Sequence, residues 1–322
     1  MELFIGIDVS KTCLDIYIDG LDKTFKISNT QKDIEDWLKT FKSLKADHTL
    51  KLIVCEPTGG YETLFVQFMH DQLLPIHVVH ANKVRHFAKT IGRLAKTDTM
   101  DARLLSQYAK VFQPQPDQQK RTPDQIEMTF LVKRRQQLLK QRIEESNRLD
   151  KTIPGWLKES IQNHLSFLKT EIDKIEKQIQ TLSQSSLKES IDLLTSIPGV
   201  GLLTASTMLA GIPELGMGTS SSLASLIGIA PFNQDSGKFC KKRRIYAGRA
   251  SVRSALYMAT IASLIHNKQL KTFYQRLKAK GKPSKVAIVA CMRKLLSILN
   301  AVFKRKSPWT NSLNDTYLPL ST

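Results

Sequence analysis

Cysteine is scarce and scattered. Cys13, Cys55, Cys240 and Cys291 form no Cys-x-x-Cys pair, which argues against a zinc site and a disulfide framework and fits a reducing compartment. Long apolar runs are missing too. The stretch from Ala255 to Ile265 is broken by Thr and Ser and is too short to span a bilayer. The Met1-Glu2 start lacks the basic region and apolar core of a signal peptide. Together these absences lead to the expectation of a soluble cytoplasmic protein with no membrane partner. The third scarcity is of acid, and it is local. Residues 186–322 carry 5 Asp+Glu against 20 Lys+Arg, residues 121–185 carry 9 against 12, and residues 1–120 carry 15 against 16. Of the formal net charge of +19, the last stretch therefore holds +15. So uneven a distribution points to a polyanionic partner such as nucleic acid.

What the first third does contain is alternation. Leu3 to Asp8 reads as a buried strand ending on a carboxylate, followed by strands at Leu14 to Asp19 and Thr24 to Ser28. Thr30 to Leu44, with Ile34, Trp37, Leu38 and Phe41 on one face, reads as an amphipathic helix capped by Asn29-Thr30. A strand from Lys51 to Cys55 delivers Glu56 just before Pro57-Thr58-Gly59-Gly60. A helix from Tyr61 to Gln72, a strand from Ile76 to His80 and a basic helix from Asn82 complete the order. Strand, strand, strand, helix, strand, helix, strand, helix is the ribonuclease H type of α/β arrangement. Its first and fourth strands are neighbours, so Asp8 and Glu56 are expected side by side.

In Lys96-Thr97-Asp98-Thr99-Met100-Asp101-Ala102-Arg103, a helix start would put Asp98 and Asp101 at i and i+3 on one face. Asp98 as an N-cap with Asp101 favoured by the helix dipole is the plainer reading. With Asp8 and Glu56 arriving from other elements, the four carboxylates form a candidate site for hard divalent cations, Mg²⁺ or Mn²⁺. Two such ions would clamp the attacking and leaving oxygens of a phosphoryl displacement.

The chain divides into an expected ribonuclease H-like domain at 1–112, a Pro- and Gln-rich linker at 113–123, a helical coiled-coil region at 124–185, a basic domain at 186–308 and a flexible tail at 309–322. In the third of these, Ile161, Leu165, Leu168, Ile172, Ile175, Ile179 and Leu182 recur at alternating steps of four and three. That is a heptad seam for an antiparallel helical pair, or one face of an ordinary amphipathic helix. Further on, Ser-Ile-Pro-Gly199-Val-Gly201 followed by an apolar helix has the pattern of a helix-hairpin-helix. Its glycines would let backbone amides approach phosphate; a tight turn without ligand reads the same way. Asn233 to Gly237 then places Ser236 beside Lys238, Lys241, Lys242, Arg243, Arg244, Arg249 and Arg253. These cations are candidates for holding a phosphate, and Ser236 is either a nucleophile activated from across the fold or a turn residue.

These motifs together resemble the IS110 family of insertion-sequence transposases, which includes pilin-gene DNA invertases. The resemblance rests on Ile7-Asp8, on Cys55-Glu56-Pro57-Thr58-Gly59, and on Lys96-Thr97-Asp98 with Asp101-Ala102-Arg103. It rests equally on Ser196 to Gly201, Gly228 with Pro231, Ser236-Gly237, Gly248 with Arg253, and Leu256-Tyr257-Met258. It implies a Holliday-junction-resolvase-like domain whose Asp-Glu-Asp-Asp tetrad falls on Asp8, Glu56, Asp98 and Asp101. It implies a mostly helical C-terminal domain whose Ser236 forms a covalent phosphoserine link to DNA, and a composite site across subunits of a dimer or tetramer. Double-stranded DNA and a noncoding bridge RNA are the implied partners, in a bacterial cytoplasm at the nucleoid. The expected function is that of a transposase and serine recombinase; the alternatives are a DNA invertase of the same family or a metal-dependent junction-resolving endonuclease without a covalent intermediate. Around Ile245-Tyr246-Ala247-Gly248 the lysine common in relatives is absent, which leaves Arg243, Arg244 or Arg249 as phosphate contacts.

Overall fold

A computed structural model describes residues 1–44, 48–92, 98–117, 121–149, 153–232, 235–236, 239–240, 244–245 and 248–310. Within these, the side chains of residues 98–100, 232, 235–236, 239–240 and 244 lie outside the description. So do Lys96 and Thr97 of the first acidic motif, and the expected flexible tail beyond residue 310. The chain forms two compact units, Met1–Lys120 and Arg121–Thr322.

The first unit is the expected mixed sheet with helices. Its elements are β1 (Glu2–Val9), β2 (Cys13–Asp19), β3 (Lys23–Ser28), α1 (Gln31–Leu44), β4 (Thr49–Cys55), α2 (Thr63–Asp71), β5 (Ile76–Val78), α3 (Ala81–Thr90) and α4 (Asp98–Phe112). The strands lie in the order β3-β2-β1-β4-β5. The first three form an antiparallel meander, and β4 and β5 add in parallel with β1. Parallel additions need crossover connections, which α1 and α2 provide. Because side chains alternate along a strand, the sheet has two apolar faces. Leu3, Ile5, Ile7, Leu14, Ile16 and Ile18 meet Trp37, Phe41 and Phe65 from α1 and α2. On the opposite face, Phe4, Leu52 and Val54 meet Phe87, Leu105 and Tyr108 from α3 and α4.

Two local readings shift. Thr30 alone caps α1, its Oγ1 accepting from the Asp33 amide at 3.3 Å, while Asn29 serves another purpose described below. Strand β5 ends at Val78 because His80 becomes the N-cap of α3, its Nδ1 accepting from the Asn82 amide at 3.2 Å. The Pro- and Gln-rich stretch begins by docking onto the free edge of β5. The Asp117 amide donates to the Ile76 carbonyl at 2.7 Å, and its carboxylate accepts from the Val78 amide at 2.8 Å and binds His77 Nδ1 at 3.0 Å. An edge strand so covered presents fewer open backbone groups.

The second unit is almost entirely helical. Helices α5 (Pro123–Leu149) and α6 (Gly155–Gln184) form an antiparallel hairpin. Arg135 pairs with Glu176 at 2.6 Å near one end and Glu145 with His164 at 3.1 Å near the other, so positions advance on one helix as they recede on the other. Of the heptad seam, Ile161, Leu168, Ile172 and Ile179 are buried. Leu138, Leu168 and Ile172 make a small cluster of their own, whereas Met128, Val132 and Ile179 at the base belong to the main core of the unit.

That core is built by α7 (Lys188–Thr195), α8 (Leu202–Gly211), α9 (Ser220–Ile227), α10 (Ala250–His266), α11 (Lys268–Ala279) and α12 (Ser284–Arg305). Four two-residue strands interrupt it: β6 (Pro231–Phe232) pairs with β9 (Arg244–Ile245), and inside them β7 (Asp235–Ser236) pairs with β8 (Phe239–Cys240). Helix α12 is long and apolar enough to cross a membrane by length and composition, with a mean hydropathy of 1.8. Leu295, Leu296, Leu299 and Val302 instead bury it in the core of this unit.

Candidate active site

Strand parity decides which face each acid takes. In β1, Ile5 and Ile7 face α1 and α2 while Phe4 faces α4, so Asp8, of Phe4's parity, stands at the α4 face. In β4, Leu52 and Val54 have the α4 parity, which Glu56 continues. The parallel register sets Ile7 beside Cys55, so the next residues, Asp8 and Glu56, are level on neighbouring strand ends. Both are half-buried.

The start of α4 is brought to the same place by a glycine. The Ala102 carbonyl and the Ser106 amide occupy the space that a Cβ on Gly6 would need, and Ser106 Oγ donates to the Phe4 carbonyl at 3.2 Å. Gly6 thus lies against the backbone between Ala102 and Ser106, while Ser106 also reaches Phe4, so α4 runs antiparallel to β1 and its first turn lies toward the Asp8 end of the strand. Asp98 is the first residue of α4, and half-buried Asp101 lies on the same stripe as buried Ala102 and Leu105. The i, i+3 placement expected of the two aspartates is present in the helix backbone.

The loop that carries Glu56 is held rigidly. The Glu62 carboxylate accepts from the Thr58 amide at 3.0 Å and the Gly60 amide at 2.9 Å, closing a turn in which Gly59 has φ +80°. Asn29 Nδ2 donates to the carbonyls of Ser10 at 3.1 Å and Tyr61 at 3.0 Å, tying this loop to the end of β1. The surroundings are electronegative. The fully buried Cys55 thiol is held above its ordinary pKa, first by burial and then by the carboxylates of Glu62, Asp117 and Glu56. Among the described residues, no three His, Cys, Asp or Glu side chains converge on one ion site. The described members Asp8, Glu56 and Asp101 therefore do not close a cluster by themselves. The donor set, all carboxylate oxygen, fits a hard divalent cation.

Sequence reasoning missed three acids here. Asp15 is directly opposite Asp8 in the β1–β2 register, buried at 7% exposure and paired with Lys26 at 3.4 Å. A carboxylate between Leu14 and Ile16 inside an apolar strand was the available signal. Asp117 gave none, since it acts on a backbone amide 39 residues away. Glu62 acts within its own loop, two and four residues from the amides it binds, where the Thr58-Gly59-Gly60 turn just before it was the available signal.

In the second unit the predicted nucleic-acid residues separate. Gly199, at φ +93°, packs against Ser263 of α10, whose Oγ donates to the Pro198 carbonyl at 2.9 Å; its lack of a Cβ serves internal packing. Gly201 faces open space at the N-terminus of α8. Arg249 is engaged internally, its guanidinium binding Glu214 at 2.6 and 2.7 Å and the Gly211 carbonyl at 2.9 Å, while Arg253 donates to the Ile227 carbonyl at 3.0 Å. Lys238, Lys241, Lys242 and Arg243, and the side chain of Arg244, lie outside the described residues. Ser236 of β7 pairs through its backbone with Phe239 of β8, and its side chain lies outside the described residues.

A family profile of Asp-Glu-Asp-Asp transposases of the IS110 type matches residues 5–156. A second, described as transposase of the IS116/IS110/IS902 family, matches residues 191–275. The pilin gene-inverting protein of Moraxella bovis is 28% identical over 98% of this chain and 99% of its own length, and that of Moraxella lacunata is 28% identical over the same shares. An uncharacterized 43.6 kDa protein of the insertion element IS110 from Streptomyces coelicolor is 27% identical over 45% of this chain and 36% of its own.

One expectation is overturned by these findings. The covalent phosphoserine step at Ser236 gives way to the chemistry of the acidic domain, because the N-terminal match is to a family defined by its acidic tetrad. What is indicated is a metal-dependent, ribonuclease H-like nuclease mechanism in which the protein is never joined to DNA. Ser236 itself stands in strand β7, where its backbone pairs with Phe239.

Proposed function

We propose that the chain is a member of the IS110/IS902 transposase family, related to pilin-gene inverting proteins, and that it cuts and rejoins double-stranded DNA by divalent-metal-dependent phosphoryl transfer without a covalent protein intermediate. A domain of the Asp-Glu-Asp-Asp type implies divalent-metal dependence in general; Mg²⁺, with Mn²⁺ able to replace it, is our specific assignment. Asp8, Glu56, Asp98 and Asp101 would hold the metal. When bound, it supplies Lewis-acid compensation for the charge that develops on a phosphodiester during in-line displacement.

The protein's own part is placement. Two strand ends fix Asp8 and Glu56 side by side, α4 presents its first turn to them, and Glu62 and Asn29 immobilise the loop between. Water attacks the phosphorus in cleavage and a DNA 3′-hydroxyl attacks it in joining. In each case one P–O bond forms as another breaks, and the leaving oxygen takes up a proton. The observation that carries this reading is the level pair Asp8 and Glu56 on the face that α4 covers.

Inversion of a DNA segment is the second reading, favoured by the end-to-end match to the gene-inverting proteins. It uses the same chemistry on two sites in one molecule. A guide RNA, a dimer or tetramer, and a place at the bacterial nucleoid complete the proposal; the basic second unit supports the nucleic-acid partners.

The test is end-labelled recombination-site DNA incubated with the purified chain in Mg²⁺, Mn²⁺ or EDTA, resolved on denaturing gels. Cleavage should require metal and fall by more than ~100-fold in Asp8→Asn and in Glu56→Gln. Label migrating with denatured protein, or cleavage that persists in EDTA, would overturn the reading.

A further inference from the structure

From residue 236 to residue 314 the sequence contains no Asp and no Glu. Helices α10, α11 and α12 therefore carry their cations with no carboxylate of their own. Along α11 and the turn after it, Lys268, Lys271, Arg276, Lys278 and Lys280 are exposed.

At one point cations from two helices converge. Phe273 of α11 is half-buried against the core; the guanidinium carbon of Arg276 lies 5.3 Å from its ring centroid, and Lys294 Nζ, from α12, lies 4.8 Å from it. Neither cation has a carboxylate partner among the described residues. The ring attracts each of them, but each also meets the other's repulsion. Burial first, and then Arg276, hold the Lys294 ammonium below its ordinary pKa. An anion seated between the two would relieve that repulsion.

We propose that Arg276 and Lys294, braced on Phe273, clamp a backbone phosphate of duplex DNA. The proposal rests on the DNA-acting reading above and assigns it a contact surface on the second unit. A polyanion suits the place better than a small anion does. The exposed cations continue along a helix that is about 18 Å long by its 12 residues, enough to follow several phosphates. Duplex suits it better than single strands, because binders of unpaired bases need free aromatic faces for stacking. Here the ring is half-buried and already carries two cations. A contact of this kind positions the duplex and reads no sequence.

The experiment is fluorescence anisotropy of a labelled duplex of arbitrary sequence with the full chain, titrated at several salt concentrations in EDTA so that binding is seen without cleavage. Arg276→Gln/Lys294→Gln should bind on the order of tenfold more weakly, and its plot of log affinity against log salt should be shallower by about 2. Lys39→Gln/Lys174→Gln, which removes equal charge elsewhere, should leave both unchanged. Lys294→Met, whose unbranched chain suits the same half-buried place, should lower the slope by about 1 and secures the result if the double variant melts early. An unchanged slope in the clamp variants overturns the proposal, as does an equal loss in the charge control. Loss confined to an RNA probe would assign the surface to RNA instead. Failure of the parent chain to bind duplex at any salt would sink the DNA-acting reading, and the clamp with it.

Discussion

Asp15 stands directly across the β1–β2 pair from Asp8, on the face of the sheet that α4 covers. Opposed like charges in an antiparallel pair are destabilising. Lys26, at 3.4 Å from Asp15, offsets this in part, but its side chain is 63% exposed and its pairing is correspondingly weak. The arrangement stores negative field where a cation would bind.

Replacing Asp15 by Asn should therefore separate stability from metal binding. In EDTA the variant is expected to be more stable than the parent by roughly 0.2–1 kcal/mol, as the facing charge is removed. Its metal affinity should fall severalfold. Thermal melts with and without Mg²⁺ check both, and a variant that melts earlier in EDTA would contradict the repulsion argument.

Gly6→Ala places a methyl group where the Ala102 carbonyl and Ser106 amide now stand. Because the obstruction is backbone, α4 must move away from the sheet, at a cost of about 1–3 kcal/mol. Metal-dependent cleavage should drop by more than the loss in stability explains, since the first turn of α4 moves away from the Asp8 end of β1. Duplex binding, which we place on the second unit, should be kept; its loss would show that the substitution acts through general unfolding.

Leu168→Ala empties the small cluster with Leu138 and Ile172. The expected cost is about 2–5 kcal/mol, taken mainly from the distal part of the α5–α6 hairpin. Amide exchange should accelerate around these three residues and remain slow in α12, because the base residues Met128, Val132 and Ile179 belong to the other core. Equal acceleration in both regions would mean that hairpin and core open as one.

Burial raises the Cys291 thiol from 9.0 to about 11. With the folded value above the unfolded one, its contribution to stability is complete below pH 9 and declines as pH rises through about 11, because only the unfolded chain releases the proton early. The stability advantage of the parent over Cys291→Ala should therefore shrink across that window in urea titrations. A constant difference would place the thiol in a polar setting.

The first unit was legible because strand alternation and helical periodicity are written in neighbouring residues. Leu3 to Asp8, the stripe Ile34-Trp37-Leu38-Phe41 and the pair Asp98 and Asp101 could each be placed without reference to distant parts. The four two-residue strands were not legible, being too short to show a period. Arg249 and Arg253 stood in a cationic run and looked like their neighbours. Their partners, Glu214 and the Ile227 carbonyl, lie 35 and 26 residues away.

What the chain order determined alone was the segregation of charge between the two units, the parity of each acid on its strand and the spacing of the α4 aspartates. These follow from the local geometry of strands and helices. Which groups face one another was decided only by tertiary packing: Asp15 against Asp8, Arg276 and Lys294 on one ring, Gly199 spent on packing while Gly201 stays open. Such meetings depend on the register between segments far apart in sequence, and that register is selected by the fit of the whole core.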